Sequence, residues 1–397
     1  MVKTADIVII GGGCMGASLA FSLARRGVKH VVLLERKRLA SGPTGKSLAI
    51  LRQHYGVESM VFTSQRSLEI FSHFDDAVGG DTGFVRTGYV KWVAAHDRAA
   101  LEANVAMQRR IGANVLLLDA ADLAGICPGV QVDDVAAAAY HPDSGYADPI
   151  ATTLAFARRA RDFGATIVEG VTVTGLRLSA GRIAAVETSE GVIATPVVVN
   201  SAGAWGARVA RMVGVELPIQ TIRPQICLFK RPPALDGMHP IYSDSVTGMF
   251  YRPEQARLSF VGIDVSEGEI AKPADPDAYD ESVDSGLIAR LRPPMEARLP
   301  AMRWGVSRGG YAAIYDMTPD EQPIIGHIPE VEGFSCNLGW SGHGFKHCPA
   351  IGLLMAELIT EGRTTGFDIT AFRASRFKEG QPITERKYQG GSKEWMR

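Results

Sequence analysis

Three stretches of this chain hold residue types that could do chemistry: glycines 11, 13 and 16 with Glu35, the polar run Arg52, Gln53, His54, Tyr55, and the glycine-rich loop 339–349. In the first, Gly11-x-Gly13-x-x-Gly16 follows the apolar run 7–10, opens a pattern with Leu19 and Leu23 on one face, and leads to a second apolar run ending at Glu35. One glycine makes the turn, one lets backbone approach a pyrophosphate, and one lets helix pack on strand, while free N–H groups at the helix start face the anion. A carboxylate roughly twenty residues past the turn takes ribose hydroxyls, the role expected of Glu35. Strand, turn, helix, strand and acid together point to a bound dinucleotide.

A second loop of this kind lies far along the chain. Gly339-Trp-Ser-Gly342-His-Gly344-Phe-Lys346-His347-Cys348 precedes Pro349, which opens a helix with Ile351, Leu354, Met355, Leu358 and Ile359 on one face and Gly362 at its end. Such a helix start stabilises negative charge placed before it. Between the two, the apolar run 196–199 turns through Asn200-Ser-Ala202-Gly203-Ala-Trp205. That turn either brings more backbone to the cofactor or is an ordinary strand-to-helix corner.

The positioning elements follow from pattern. Helices are expected over 57–74, 98–111 and 149–163, the last capped by Asp148 and opened by Pro149. Residues 89–93 read as a strand, and short strands from 166 onward with turns at Ala180-Gly181 and Glu190-Gly191 read as an antiparallel meander. Residues 215–300 are β-rich and irregular, with strands at 249–252 and 258–261 and loops at Pro232-Pro233, Lys272-Pro273 and Pro293-Pro294. The charged tail after Thr370 reads as solvated surface.

A chain of 397 residues holds two domains of common size. With 42 Lys and Arg against 43 Asp and Glu, no general attraction to nucleic acid or to an anionic membrane is expected. The five scattered cysteines form no CxxC pair, which argues against a disulfide framework or a metal site and fits a reducing cytoplasm. No signal peptide and no membrane-spanning run is read, so the expectation is a cytoplasmic protein.

Gly11-x-Gly13-x-x-Gly16 with Glu35 and Ser341-Gly-His-Gly-Phe-Lys346 with Pro349, joined by the turn 200–205 and Thr318-Pro-Asp320 before Ile324-Ile-Gly326, resemble the D-amino-acid oxidase-like flavoproteins. Within them the chain is most similar to the branch of sarcosine oxidase, glycine oxidase and dimethylglycine dehydrogenase. The resemblance implies an α/β (α+β two-domain) protein, a Rossmann-like FAD-binding domain with a β-rich substrate domain inserted. The FAD domain would comprise 1–87, 148–220 and 320–375, the substrate domain 88–147 and 221–319, and the tail 376–397. The cofactor side would be formed by Gly11, Gly13, Gly16, Glu35, Ser47, Val173, Ala202, Gly203, Trp205, Gly342, His343, Gly344, Phe345 and Lys346.

It further implies that Arg52 and Lys346 hold a substrate carboxylate, as an arginine fork and a lysine point charge can. His343 is expected to be structural, bonding backbone near the flavin, and Tyr55, His54 and Tyr251 are candidate pocket residues. Where sarcosine oxidases attach the flavin through cysteine, this chain has Ala313, so FAD is expected to be noncovalent, with Cys336 and Cys348 as buried thiols. Ser259 falls where those oxidases carry an oxygen-activating lysine, which leans the expectation towards a dehydrogenase. The reaction implied is oxidation of a secondary or tertiary amine of the N-alkyl amino-acid type, with oxygen or another electron acceptor. Its rivals are oxidation of a cyclic imino acid or 2-hydroxy acid, and a flavin-bearing member of a complex that needs a partner subunit.

Overall fold

The structure is a computed structural model that describes residues 2–263 and 272–389. Its first sheet has six strands in the order Ile324–His327, Phe334–Leu338, Val198–Asn200, Ile7–Ile10, Val31–Glu35, Thr166–Glu169. All neighbours are parallel except the first pair. Its central strand Ile7–Ile10 and the run 31–34 beside it are apolar and buried throughout because both faces are covered. Ile7, Ile9 and Leu33 pack on one side with Leu19, Leu23, Phe156, Ile351 and Leu354 of the helices Cys14–Arg25, Pro149–Asp162 and Cys348–Glu361. Val8, Ile10, Val32 and Leu34 pack on the other with Leu176, Ile183, Val186 and Ile193 of the meander Val173–Ser179, Arg182–Thr188, Gly191–Ala194.

Local signals set the helix ends. The Asp148 carboxylate accepts from the N–H groups of Ile150 at 2.8 Å and Ala151 at 2.9 Å, and Pro149 occupies the first turn, where no N–H is needed. The Ser18 hydroxyl donates to the carbonyl of Cys348 at 2.7 Å, which ties the first and last helices together near their N-termini. Both glycine-rich loops therefore open at the same end of the sheet, beyond the carboxyl ends of its interior strands.

The second sheet has eight strands in the order Val306–Ala312, Gln225–Lys230, Leu258–Ile263, Met249–Glu254, Ile241–Asp244, Tyr89–Val93, Ala137–His141, Leu116–Leu118. Period-two alternation divides its residues. Trp92, Phe229, Tyr242, Tyr251 and Val261 pack with Leu287, Leu291 and Met295 of the helix Leu287–Arg298. Tyr89, Lys91, Ile226, Ile241, Ser243 and Phe250 face a cavity on the other side.

One expectation changes here and another is qualified. Pro293-Pro294 lies inside the helix Leu287–Arg298 and not in a loop, because Leu287, Leu291, Pro294, Met295 and Arg298 form one buried stripe whose packing outweighs the lost N–H groups. The described part of the tail is solvated along most of its length, as expected, but it is also anchored to the fold. Arg376 is fully buried and pairs with both oxygens of Asp320 at 2.8 and 2.9 Å, and residues 383–389 then run back over the protein. Residues 390–397 of the tail and 264–271 of the β-rich stretch lie outside the described residues. Among the described residues, no helix is long and apolar enough to cross a membrane.

Candidate active site

The first cleft, of about 450 Å³, opens at the edge where the two glycine loops meet. Gly11 and Gly13 line it; Gly16 sits behind them, where a Cβ would come within 2.0 Å of the Gly11 carbonyl oxygen, so the tight turn depends on glycine there. Glu35 is fixed on the cleft wall, its carboxylate accepting from the N–H groups of Gly12 and Lys37, each at 2.8 Å. Ser47, Val173, Ala202, Gly203, Trp205, Gly342, Gly344 and Phe345 line the same cleft. Arg36 stacks 4.1 Å over the Trp205 ring at its rim.

Two polar atoms test whether this cleft suits a dinucleotide. The Ser201 hydroxyl and the Asn337 amide nitrogen belong to cleft-lining residues and are buried with no hydrogen-bond partner among the described residues. Such groups are costly unless a bound molecule supplies their partners. With a glycine turn at a helix start and an anchored carboxylate, the cleft has the polar furniture that a flavin dinucleotide needs. Ala313 lines it as well, and Cys14 is the cysteine among the described residues that does so.

The second cavity, of about 300 Å³, shares Ser47, Tyr315, Gly342 and Phe345 with the first. Arg52, Lys346, His54, Tyr55 and His343 all line it. The Arg52 guanidinium lies 4.0 Å over the Tyr55 ring and donates to the carbonyl of His54. Lys346 is buried, and its ammonium donates to the carbonyl of His343 at 3.1 Å. Burial, and then the charge of Arg52, hold its pKa well below the usual lysine value. A bound anion would offset both effects by favouring the charged lysine.

Behind the cavity, buried polar groups hold the loop that carries Arg52. Gln108 donates to the Tyr55 carbonyl at 2.9 Å, and the Tyr55 hydroxyl meets His347 at 3.2 Å. The His54 ring sits between His141 at 3.2 Å and the Tyr388 hydroxyl at 2.6 Å. Burial is the first cause holding His54, His343 and His347 well below the ordinary histidine pKa, which favours the neutral ring.

Three expectations are corrected by these positions. Tyr251 faces the opposite side of its strand, fully buried in the core with its hydroxyl on Met249, whereas its neighbour Phe250 lines the cavity. Ser259 lines neither cavity; it is buried and bonded to Arg231 at 2.7 Å and His239 at 3.0 Å. The His343 side chain does not bond backbone through Nδ1, which is buried without a partner among the described residues; it is the His343 carbonyl that holds Lys346. Sequence reasoning also passed over Tyr89, Lys91, Ser243 and the tail residues Glu385, Arg386, Lys387 and Tyr388, all of which line the second cavity. Alternation along the strand Tyr89–Val93 could have found the first two; no sequence pattern marked the tail.

A family model described as FAD dependent oxidoreductase matches residues 6–358. Mitochondrial sarcosine dehydrogenase from Mus musculus is 28% identical over an alignment covering 99% of this chain and 44% of that protein, so the chain spans less than half of this relative's length. The crystal structure of L-proline dehydrogenase from P. horikoshii superposes with a TM-score of 0.88 at 28% identity, covering 96% of this chain and 100% of that one. Glycine oxidase from Geobacillus kaustophilus shares the fold, with a TM-score of 0.81 at 23% identity over 94% of this chain and 99% of that one.

Proposed function

Because the chain belongs to the FAD-dependent oxidoreductases, we propose that it oxidises the carbon next to nitrogen in a secondary or tertiary amino acid of the sarcosine or dimethylglycine type. The observation that carries this reading is the pair Arg52 and Lys346, two cations on a cavity that shares four wall residues with the dinucleotide cleft. The glycine turn from Gly11, the loop 342–345 and Glu35 would hold FAD in that cleft, where it would supply the two-electron acceptor for this oxidation, and the imine product would hydrolyse in water.

The chain's own contribution is placement. Arg52 presents a planar fork to both carboxylate oxygens, and Lys346 adds a point charge from the other loop. Anchoring at the carboxylate fixes the position of the neighbouring C–H and nitrogen, which is where positioning lowers a barrier. Hydride leaves a carbon next to nitrogen when the nitrogen lone pair is free, so the amine reacts as its free base.

On this reading the cofactor domain is built from 1–87, 148–220 and 320–375, which supply every strand of the six-stranded sheet. The substrate domain is 88–147 and 221–319, which supply every strand of the eight-stranded sheet. FAD is held noncovalently, since Ala313 offers no thiol. A cyclic imino acid such as proline is the second reading, favoured by the likeness to L-proline dehydrogenase along that protein's whole length. Both readings are amines with one carboxylate next to the amine-bearing carbon, so both need the same anchor. Arg52→Met tests it: KM for a carboxylate substrate should rise about 100-fold, as loss of a charge-assisted fork implies, and an unchanged KM removes Arg52 from the site.

A further inference from the structure

Glu385, Arg386, Lys387 and Tyr388 of the segment 383–389 line the second cavity, and the segment's contacts reach three separated parts of the chain. The N–H of Ile383 donates to Asp320 at 2.9 Å, and Lys387 pairs with Glu321 at 2.8 Å. Glu385 accepts from the N–H of Gly56 at 2.9 Å and from the Gln322 amide at 3.2 Å. The Arg386 carbonyl comes so close to Gly56 that a Cβ there would lie 2.7 Å from its oxygen. Tyr388 packs on the cluster containing Val93, Leu101 and Val105, and its hydroxyl meets Asn104 at 2.9 Å and His54 at 2.6 Å.

Those last contacts connect the tail to the candidate carboxylate anchor. The His54 ring is held by Tyr388 on one side and His141 on the other, while the His54 carbonyl accepts from the Arg52 guanidinium. We propose that residues 383–389 are a substrate-positioning strap, which completes the wall of the second cavity and, through the Tyr388 hydroxyl on His54, holds the loop that presents Arg52. The proposal rests on the reading of Arg52 as the carboxylate anchor. Tyr388 is a positioning residue, acting on the substrate through His54 and Arg52. Its loss leaves a buried imidazole nitrogen without its partner and frees the loop to shift.

The test uses the full flavin-bearing chain with Tyr388→Phe, which keeps the ring and deletes one hydroxyl, and Tyr388→Ala, which deletes both. Acetate is titrated against the visible flavin spectrum, and KM and kcat are measured with sarcosine, dimethylglycine and proline. Tyr388→Phe should raise the acetate Kd and the substrate KM together by about fivefold, with kcat within about twofold, and Tyr388→Ala should raise them further. Hydrogen exchange across 52–56 should quicken in both variants while that of Ile7–Ile10 stays unchanged. Unaltered acetate affinity in both variants overturns the strap while leaving Arg52 in place. So does a fall in kcat and flavin content at constant KM, the mark of a merely structural contact. If acetate fails to bind the unaltered chain and Arg52→Met changes nothing, the anchor reading itself is wrong and the strap falls with it.

Discussion

Lys346 is a buried ammonium that burial, and then the charge of Arg52, push towards its neutral form. A carboxylate bound between them restores the proton, so its pKa is higher in the complex than in the free protein. Binding therefore takes up a proton in the window between those two values. The acetate Kd should rise as pH increases through that window, and Lys346→Met should bind acetate more weakly with this dependence abolished; a variant with the same slope would place the titrating group elsewhere. At this scale the sequence was legible where motif and chemistry coincide, as at Arg52 and Lys346, both of which line the cavity. It was not legible at Tyr251 or Ser259, because a strand turns successive side chains to opposite faces and only the pairing register says which face meets the cavity. The misjudged His343 has another cause: which ring nitrogen finds a partner depends on neighbours that the sequence does not place.

At the scale of elements, the turn from strand Ile7–Ile10 into helix Cys14–Arg25 is the most exposed to a single methyl group. Gly16→Ala sets its Cβ against the Gly11 carbonyl oxygen, a backbone atom that cannot swing aside. A cost of about 1–3 kcal/mol and a loss of flavin from the purified protein are expected; full flavin content at unchanged stability would contradict the tight-turn account. The Arg376–Asp320 pair does comparable work at the other end, tying the tail to the loop before Ile324–His327. Arg376→Met should destabilise the fold by about 3–5 kcal/mol in denaturant unfolding, because it leaves a buried carboxylate without its cation; a change under about 1 kcal/mol would contradict that. Elements governed by neighbours in sequence were readable: the capped helix at Asp148, the meander and the glycine-opened helices all lie where pattern put them. The anchoring of the tail was not readable, since Arg376 and Tyr388 find partners 56 and 334 residues away, and the helix through Pro293-Pro294 is held by packing against its own local penalty.

For the molecule as a whole, the two sheets matter because of where they meet. The six-stranded sheet carries the dinucleotide cleft at the carboxyl end of its strands, and the eight-stranded sheet lays one face over the second cavity. Ser47, Tyr315, Gly342 and Phe345 belong to both cavities, so the anchor for a carboxylate and the site for FAD adjoin. That adjacency is a property of the whole fold, because Arg52 and Lys346 come from opposite ends of the chain. The measurement that tests it most directly is anaerobic titration of the purified flavoprotein with sarcosine, dimethylglycine, other N-methyl amino acids, proline and 2-hydroxy acids, followed by admission of air. A secondary or tertiary amino acid should bleach the flavin absorbance, and the speed of recovery in air then tells whether oxygen or another acceptor takes the electrons. Bleaching by a 2-hydroxy acid alone, or by none of these compounds, would contradict it.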